Sequence, residues 1–288
     1  MAGQVQRFGR GHPIIRTQFF SEELDTECGM FSSHQQALMQ GDHLARPGPE
    51  EGKLYAMLLD VGGEQTAPAG DRLISQRANL ANPLAAGNEN RRDSTALTVV
   101  EIDLSSLEDE GLQAPTYRVV QRRLWTGVSQ SLLYGQIRAL VQHWQARRLV
   151  IDATGIGAGL ASFLGRALGT ERVIPYLFNL RSKSDLGWGF LAVVETGRYK
   201  EYRASDLNPP DQNHLQEIFW QQVRACRSQV MAGPGQLLRW GTPETAQEHD
   251  DLLISAALCT VLDGLAWSTA KSTILPPVDP LAGMRRVY

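Results

Sequence analysis

Runs of apolar residues separated by polar turns divide the chain from residue 53 onward into alternating strands and helices. Short runs rich in β-branched residues predict strands in KLYAMLLD, STALTVVEID, TYRVVQRRLWTG, RLVIDAT, RVIPYLF and QLLRW. Apolar residues at helical spacing predict a helix in SQSLLYGQIRALVQHWQARR, where one face carries Leu133, Ile137, Leu140, Val141 and Trp144. Further helices are predicted over residues 158–168, 185–195, 213–230 and 243–262.

The order of these elements indicates an α/β fold. Three strands joined by turns come first and are expected to pair antiparallel, whereas the later strands alternate with helices, which is typical of parallel crossovers. We therefore predict a mixed five-stranded sheet with helices on both faces. In that sheet the strand ending at Asp60 lies beside the strand ending at Asp152. Both carboxylates would emerge at the carboxyl edge, where open α/β sheets place their sites.

Changes in composition along the chain predict its domain organisation. Residues 1–50 are polar and irregular, with one short helix around SSHQQALMQG, and are expected to form an arm or linker. Residues 51–268 are expected to form the compact domain, and the Pro-rich residues 269–288 a loose or partner-bound tail. Within the domain, residues 64–92 are rich in Gly, Pro, Asn and Ala and predict a loop long enough to suggest function or mobility.

Composition narrows the class of protein further. A hydrophobic content of 42% and a charged content of 20% are typical of a globular protein, and neither a membrane-spanning run nor a signal peptide is present. Three scattered cysteines favour a reducing cytoplasm and argue against a disulfide framework or a structural zinc site. The net charge of −3 does not indicate a nucleic-acid binder, although basic residues cluster, as at Arg118, Arg122 and Arg123. Such clusters are expected to form solvated faces.

Four aspartates form the main candidate for chemistry: Asp60, Asp152, Asp250 and Asp251. The first two end short apolar strands and precede glycines, in LLDVGG and VIDATGIG, where a carboxylate serves no packing purpose. The last helix can bring the Asp250–Asp251 pair to the same edge. Because clustered carboxylates repel one another, they predict a site for two Mg²⁺ or Mn²⁺ ions, which prefer oxygen ligands and can promote phosphoryl displacement.

Each aspartate also has a structural interpretation. An Asp at a strand end accepts hydrogen bonds in a turn, and an Asp at a helix start caps the helix or complements its dipole. Neighbouring residues point about 100° apart on a helix, so one aspartate of the pair can cap while the other faces the site. Which one does so is left open. His249 and Asp93 are candidates for a supporting role around the site.

Several other motifs are weak or absent. The glycines of GIGAGL do not complete a dinucleotide fingerprint, because residue 160 is Leu160, and we expect them to permit a tight turn beside Asp152. The sequence contains no P-loop, no His pair at metal-ligand spacing and no Gly-x-Ser-x-Gly elbow. ATPase activity of the P-loop class and serine-hydrolase chemistry are therefore not expected.

Basic residues around the predicted helix 185–195 are candidates for contact with an anionic phosphate backbone. Arg181 and Lys183 precede the helix, together with Ser182 and Ser184, and helix N-termini and ammonium groups both favour phosphate. Arg198 and Lys200 follow the helix and can act in the same way. An equally good interpretation is a polar loop and a helix C-terminus with favourable cations.

The motifs LLDVGG, RDSTALTVVEID, VIDATGIGAGL, SKSDLGWGFLAVVETGRYK and HDDLLISAAL resemble, in this order, the nuclease domain of tailed-phage large terminase subunits. The lead-in HPIIRTQFFSEELDTECGMFSSHQQALMQGDH is similar to the linker that joins the ATPase of that family to its nuclease. The resemblance covers roughly residues 10–266. It implies an RNase H-like fold and a two-metal site at Asp60, Asp152 and Asp250 or Asp251.

The resemblance also implies a function. We expect a metal-dependent endonuclease that cuts concatemeric phage or prophage DNA during packaging, with low sequence specificity, in the cytoplasm of the bacterial host. Expected partners are double-stranded DNA, the terminase ATPase portion or small subunit, and the portal protein, with no membrane. No counterpart of the family's ATPase motor is found, so translocation is not expected. The alternatives are another RNase H-like nuclease, such as a junction resolvase or transposase, and a non-catalytic packaging module.

Overall fold

The computed structural model, which describes residues 28–62, 94–231, 236–243 and 249–267, is built around a mixed β-sheet. In chain order the strands are β1 (Cys28–Gly29), β2 (Leu54–Asp60), β3 (Ser94–Asp103), β4 (Thr116–Thr126), β5 (Arg148–Asp152), β6 (Val173–Tyr176), β7 (Tyr199–Lys200), β8 (Arg227–Val230) and β9 (Leu238–Gly241). The helices are α1 (Ser33–Met39), α2 (Gln130–His143), α3 (Gly157–Leu168), α4 (Leu180–Glu195), α5 (Gln212–Ala225), α6 (Asp251–Ala257) and α7 (Cys259–Asp263).

The main sheet has six strands in the order β6-β5-β2-β3-β4-β7. Strands β2, β3 and β4 pair antiparallel, while β5 pairs parallel with β2, β6 with β5, and β7 with β4. The predicted mixed sheet, with antiparallel strands followed by parallel crossovers, is confirmed. The sixth strand, β7, was not predicted, because two residues are too few to show a periodic pattern.

A second sheet of three strands, in the order β1-β8-β9, corrects one predicted helix. The helix expected over 213–230 ends at Ala225, since Cys226 is extended with φ −60° and ψ 130°. Residues Arg227–Val230 then pair antiparallel with β9. Pairing with two partner strands overrides the weak local preference of RSQV.

Alternation along β2 explains how the sheet is covered on both faces. Ala56 and Leu58 lie in one core cluster, and Met57 and Leu59 lie in the other, because successive side chains of a strand point to opposite faces. Helices α4, α5 and α6 contribute to the first cluster, through Leu186, Phe190, Phe219 and Leu252. Helices α2 and α3 contribute to the second, through Leu133, Ile137, Leu160 and Leu164. Because β2 is buried on both faces, its sequence is a continuous apolar run and does not alternate with polar residues.

Residues 28–50 are part of the compact fold, which therefore begins before the expected boundary at residue 51. Strand β1 pairs with β8, and helix α1 carries a capping box in which Ser32 and Gln35 bond reciprocally. Met39 is fully buried. Residues 1–27 of the predicted arm, the predicted 64–92 loop, Asp93 and the predicted tail lie outside the described residues. Within the described ranges, every helix falls short of the length and apolarity that crossing a membrane requires.

Candidate functional site

Asp60 and Asp152 end neighbouring strands at one edge of the sheet. Strands β2 and β5 are parallel and in register up to the pair Leu59 and Ile151, so the next residue of each strand emerges at the same edge. The Asp152 side chain is buried, and Asp60 is half-buried. The structure thus brings together the two strand-end carboxylates that the sequence singled out.

Helix α6 brings the second pair of aspartates to the same place. It packs against β2 and β3, with Asp250 at its N-cap position and Asp251 in its first turn. The Asp250 side chain makes no capping hydrogen bond, although its carbonyl accepts the N–H of Ile254 at 2.8 Å. Helix capping therefore does not account for the side chain of Asp250.

Three of the carboxylates act electrostatically on the fourth, Asp60. Burial raises the pKa of Asp60 well above its usual range, and the negative charges of Asp251, Asp152 and Asp250 raise it further, in that order. The ammonium group of Lys183 acts in the opposite direction. The strongest of the three carboxylate influences on Asp60 is that of Asp251, so the helix and the strand edge form one electrostatic unit.

The carboxylate of Asp152 is held by the turn that follows it. Burial raises the pKa of Asp152, while hydrogen bonds from the side chain and backbone of Thr154 oppose this shift. The Thr154 N–H donates to Oδ1 of Asp152 at 2.8 Å, and the Thr154 hydroxyl oxygen accepts the N–H of Phe178 at 2.8 Å. Thr154 therefore ties the turn after β5 to the loop after β6 and orients Asp152.

Two glycines allow that turn to close. Gly155 has φ +55°, a conformation that residues with a Cβ rarely adopt. At Gly157 an added Cβ would lie 2.2 Å from the carbonyl oxygen of Asp152. The prediction that the glycines of GIGAGL permit a tight turn beside Asp152 is confirmed, and the start of α3 packs directly against the end of β5.

A cleft of about 980 Å³ opens beside the carboxylates, between the start of α4 and the β8–β9 hairpin. Asp250, Lys183 and Trp240 all form part of its wall. The Lys183 ammonium lies 5.7 Å from the centre of the Trp240 ring, whose Nε1 donates to the Lys183 carbonyl at 2.7 Å. An added Cβ on Gly241 would lie 2.8 Å from Oδ2 of Asp250, so the missing side chain lets the hairpin approach that carboxylate.

The predicted DNA-contacting residues divide into two groups. Helix α4 begins at Leu180, earlier than expected, because Asn179 and Ser182 form a capping box. Arg181 and Lys183 therefore lie in its first turn and not before it; Arg181 is exposed, and Lys183 lines the cleft.

The second group has partners inside the fold. Arg198 is buried, and its two terminal nitrogens bind the Asp263 carboxylate at 2.9 and 2.8 Å. Lys200 donates to the carbonyl of Leu38 at 2.8 Å. The expectation that Arg198 contacts DNA is therefore replaced by a structural role, and Lys200 is tied to the N-terminal segment.

The donor set fits a hard divalent cation in its chemistry, because it consists of carboxylate oxygens that repel one another. The side chains are nevertheless not gathered into a ready coordination shell. Within the described part of the chain, no group of three or more His, Cys, Asp or Glu side chains is close enough to hold a metal ion. His249, half-buried, directly precedes the pair. A bound cation would have to draw the carboxylates inward.

Three residues around the site were missed from the sequence: Thr154, Trp240 and Gly241. The Asp-x-Thr spacing after a strand is a signal for the Thr154 turn, since such residues hydrogen-bond locally. Trp240 and Gly241 meet Lys183 and Asp250 only through the tertiary fold, and no local pattern marks them.

The strand order and the carboxylates at the strand ends define an RNase H-like α/β protein. The family model described as the Terminase RNaseH-like domain matches residues 84–260, more than half of the chain, and the chain belongs to this family. The resemblance seen in the sequence is thereby confirmed.

Solved structures agree on the fold. The large terminase nuclease from thermophilic phage G20c, in crystal structures with bound magnesium and with bound cobalt, is 14% identical with a TM-score of 0.53 in both cases. The match covers 83% of this chain and 98% of the G20c chain. Comparison with curated proteins by sequence gives no match. At this identity the likeness establishes the fold alone.

Proposed function

We propose that the chain is a divalent-metal-dependent endodeoxyribonuclease that hydrolyses phosphodiester bonds and cuts concatemeric phage or prophage DNA during packaging. The observation that carries this proposal is the carboxyl of Asp60, enclosed among Asp251, Asp152 and Asp250. Like charges gathered at a partly buried strand edge cost stability, and they are typical of sites where chemistry requires them. Membership of the terminase nuclease family supports the same conclusion.

Asp60, Asp152 and Asp251 are the residues that we propose as the principal metal ligands. Asp251 is preferred over Asp250 because its charge has the larger influence on Asp60. Thr154 occupies Oδ1 of Asp152, which leaves the second oxygen available as a ligand. Asp250 lies toward Lys183 and the hairpin and would complete a second ion site. When bound, two Mg²⁺ or Mn²⁺ ions would supply an activated water and neutralise the charge on the leaving oxygen.

The cleft beside these carboxylates is the proposed path of the DNA backbone. Lys183 lines it, as do Arg227 and Arg239 of the β8–β9 hairpin. Cationic side chains of this kind contact phosphates, which carry no base information. Cleavage is therefore expected to have low sequence specificity. The G20c nuclease, which has the same fold, was crystallised with magnesium and with cobalt, and this supports a divalent ion at the site.

Nicking of supercoiled plasmid in Mn²⁺ or Mg²⁺ tests the proposal. We expect Asp152→Asn to reduce the cleavage rate by about 100-fold or more, because it removes a proposed metal ligand. Changes to residues that only support a ligand typically cost about 10- to 100-fold. The matched control is Asp103→Asn, which changes an aspartate that also ends a strand, β3, but at the sheet edge away from Asp60, where Ile102 pairs with Leu54. This variant is expected to cleave within about twofold of wild type. Absence of cleavage by the wild-type protein in both metals would refute the proposal.

One observation favours a second candidate, a non-catalytic packaging module. The described carboxylates do not form a ready-made metal group, as expected of a site that has lost its chemistry. Equal and metal-independent behaviour of wild type and Asp152→Asn would select that candidate. A junction resolvase or transposase would instead prefer branched DNA over linear duplex in the same assay.

The proposed partners follow from the packaging role. They are double-stranded DNA, the terminase ATPase portion or small subunit, and the portal protein. Packaging takes place inside the infected bacterium, so the cytoplasm of the host is the proposed compartment.

A further inference from the structure

Arg122, in the middle of β4, is a fully buried arginine. The sequence predicted that its basic cluster forms a solvated face, and for Arg122 this was wrong. Its Nη2 donates to the Glu201 carboxylate at 2.5 Å and to the Tyr199 hydroxyl at 2.9 Å. The guanidinium carbon lies 4.0 Å from the centre of the Phe219 ring. Arginine is almost never fully buried unless it is paired, and here the pair lies inside the protein core.

The other terminal nitrogen of Arg122 reaches toward the helix that carries the aspartate pair. Nη1 donates to the Thr98 hydroxyl at 2.8 Å and to the Leu252 carbonyl at 3.4 Å. The Thr98 hydroxyl also pairs with the hydroxyl of Ser255 at 2.5 Å. Leu252 directly follows Asp251, and Ser255 lies one turn further along α6. Two polar links therefore run from the guanidinium to α6.

Helix α6 is held by the packing of Leu252, Leu253 and Ile254 in the core and by these polar links. It has only seven residues, and helices this short are not stable on their own. The side chain of its N-cap residue, Asp250, makes no capping hydrogen bond. A further polar contact to a neighbouring element is the N–H of Leu253, which donates to Gln222 of α5 at 3.0 Å. A displacement of α6 would move Asp250 and Asp251 with it.

Glu201 gives the arginine a fixed anchor. Its N–H donates to the Met39 carbonyl at 2.7 Å, and its carbonyl accepts the N–H of Gly41 at 2.8 Å. Within the described part of the chain, Nε of Arg122 and Oε1 of Glu201 have no hydrogen-bond partner, which adds to the cost of burying the pair. Because apolar residues often replace a buried ion pair without loss of stability, stability alone does not explain this one.

We propose that Arg122 is a positioning residue, which fixes α6 through Leu252 and the Thr98–Ser255 pair so that the aspartates of α6 face those of β2 and β5. The proposal rests on the proposed metal-dependent function, because positioning matters only if these carboxylates act together. It assigns to the Arg122–Glu201 pair a role in the geometry of the site and not in the strength of the fold.

The test replaces the buried pair by apolar residues of similar size, in the double variant Arg122→Met/Glu201→Leu. The matched control is Arg46→Met/Glu101→Leu. Glu101 is equally buried and accepts hydrogen bonds from Arg46 and from Lys53, but it pairs with Tyr55, at the other end of β2 from Asp60. Both double variants remove an Arg–Glu pair whose carboxylate is buried, although Arg46 is partly exposed where Arg122 is not, and only one of the two pairs contacts α6.

Two readouts decide the result, and neither uses cleavage activity. Calorimetric titration with Mn²⁺ is expected to show about tenfold or weaker binding in the Arg122 double variant and a change within about twofold in the control. Hydrogen–deuterium exchange without metal is expected to be faster in residues 251–257 of the Arg122 variant alone. Arg122→Lys keeps the charge beside Glu201 but loses the planar fork, so an intermediate Mn²⁺ affinity is expected.

Each outcome supports or overturns the proposal. A folded Arg122 double variant that binds Mn²⁺ like the wild type, or whose α6 exchanges like the wild type, overturns it. If the double variant does not fold, Arg122→Lys decides by the same two measurements. If the wild-type protein binds no Mn²⁺, the proposed metal-dependent function fails, and the exchange of α6 alone decides whether Arg122 positions the helix.

Discussion

The carboxyl of Asp60 illustrates the electrostatic cost of the site at the scale of one residue. Burial raises its pKa well above the usual range, and three neighbouring carboxylates add to the shift. A carboxyl with a raised pKa in the folded state loses stabilisation as the pH rises through its unfolded pKa toward its folded one. At neutral pH, without a bound cation, the Asp60 carboxylate therefore opposes folding.

Replacing Asp60 by its neutral isostere is expected to stabilise the protein. In EDTA at pH 7, Asp60→Asn should melt roughly 2–4 °C above wild type, the shift that about 1 kcal/mol produces in a domain of this size. The measurement is thermal unfolding followed by circular dichroism.

Asp103→Asn is the control for this measurement and should shift in the opposite direction. Burial acts to raise the pKa of Asp103, but hydrogen bonds from Ser105 and the charge of Arg118 outweigh it and lower the pKa. Its carboxylate therefore stabilises the fold above its unfolded pKa, and this contribution is lost as the pH falls through the folded one. A lower melting temperature for Asp60→Asn than for wild type would contradict the interpretation.

Whether the sequence predicts where a single residue lies depends on whether the residues that determine its position are close to it in the chain. Asp60 and Asp152 were predictable because each interrupts an apolar strand at its end, which the sequence displays directly. Arg122 and Arg198 were not, because their partners, Glu201 and Asp263, lie 79 and 65 residues further along the chain. A charged residue that is buried by a distant partner looks the same in sequence as one on the surface.

The contact between β5 and α3 sets the geometry of the site at the scale of elements. The helix begins so close to the strand end that Gly157 has no room for a side chain, with the Asp152 carbonyl 2.2 Å from the position of a Cβ. Gly159 lies two residues further along α3, and an added Cβ there meets nothing within 4 Å. A side chain is therefore excluded at Gly157 and tolerated at Gly159, although both lie in α3.

Alanine substitution should separate these two glycines. Gly157→Ala is expected to destabilise the protein by about 1–3 kcal/mol, because the start of α3 must move away from the strand that carries Asp152. Gly159→Ala is expected to stabilise it by up to about 1 kcal/mol, because alanine is the better helix former. Urea denaturation of both variants measures the difference, and equal effects of the two substitutions would contradict the proposed packing.

Elements with a strong apolar period were predicted, and elements defined by pairing were not. Strands β2 to β6 and helices α2 and α3 follow their apolar patterns closely. Strand β8 lacks such a pattern and is extended because β1 and β9 flank it. The first turn of α4 was missed because the residues of its capping box also suit a loop.

At the scale of the whole molecule, the segment before β2 closes the open edge of β4. Strand β7 pairs with Tyr117 and Arg118, and within the described ranges the following residues of β4 have no strand on the side away from β3. The N–H of Arg46 donates to the carbonyl of Val120 at 2.8 Å, and the His43 ring bonds the carbonyl of Val119 at 2.7 Å. Covering an edge in this way protects it from pairing with other chains.

The ring of His43 makes this closure sensitive to pH. Burial lowers the pKa of His43 below its ordinary value of 6.5, and the positive charges of Arg118 and Arg46 act in the same direction, against its hydrogen bond to Val119 and the charge of Glu201. The folded protein therefore favours the neutral ring, whose Nε2–H donates to the carbonyl of Val119. As the pH falls below 6.5, the unfolded chain takes up a proton first, and stability is lost until the folded pKa is reached.

We expect His43→Gln, whose side-chain amide can donate the same bond without titrating, to lose roughly 2 °C less in melting temperature than wild type between pH 7.5 and 5. Parallel pH dependences for the two proteins in EDTA would show that His43 does not control the closure.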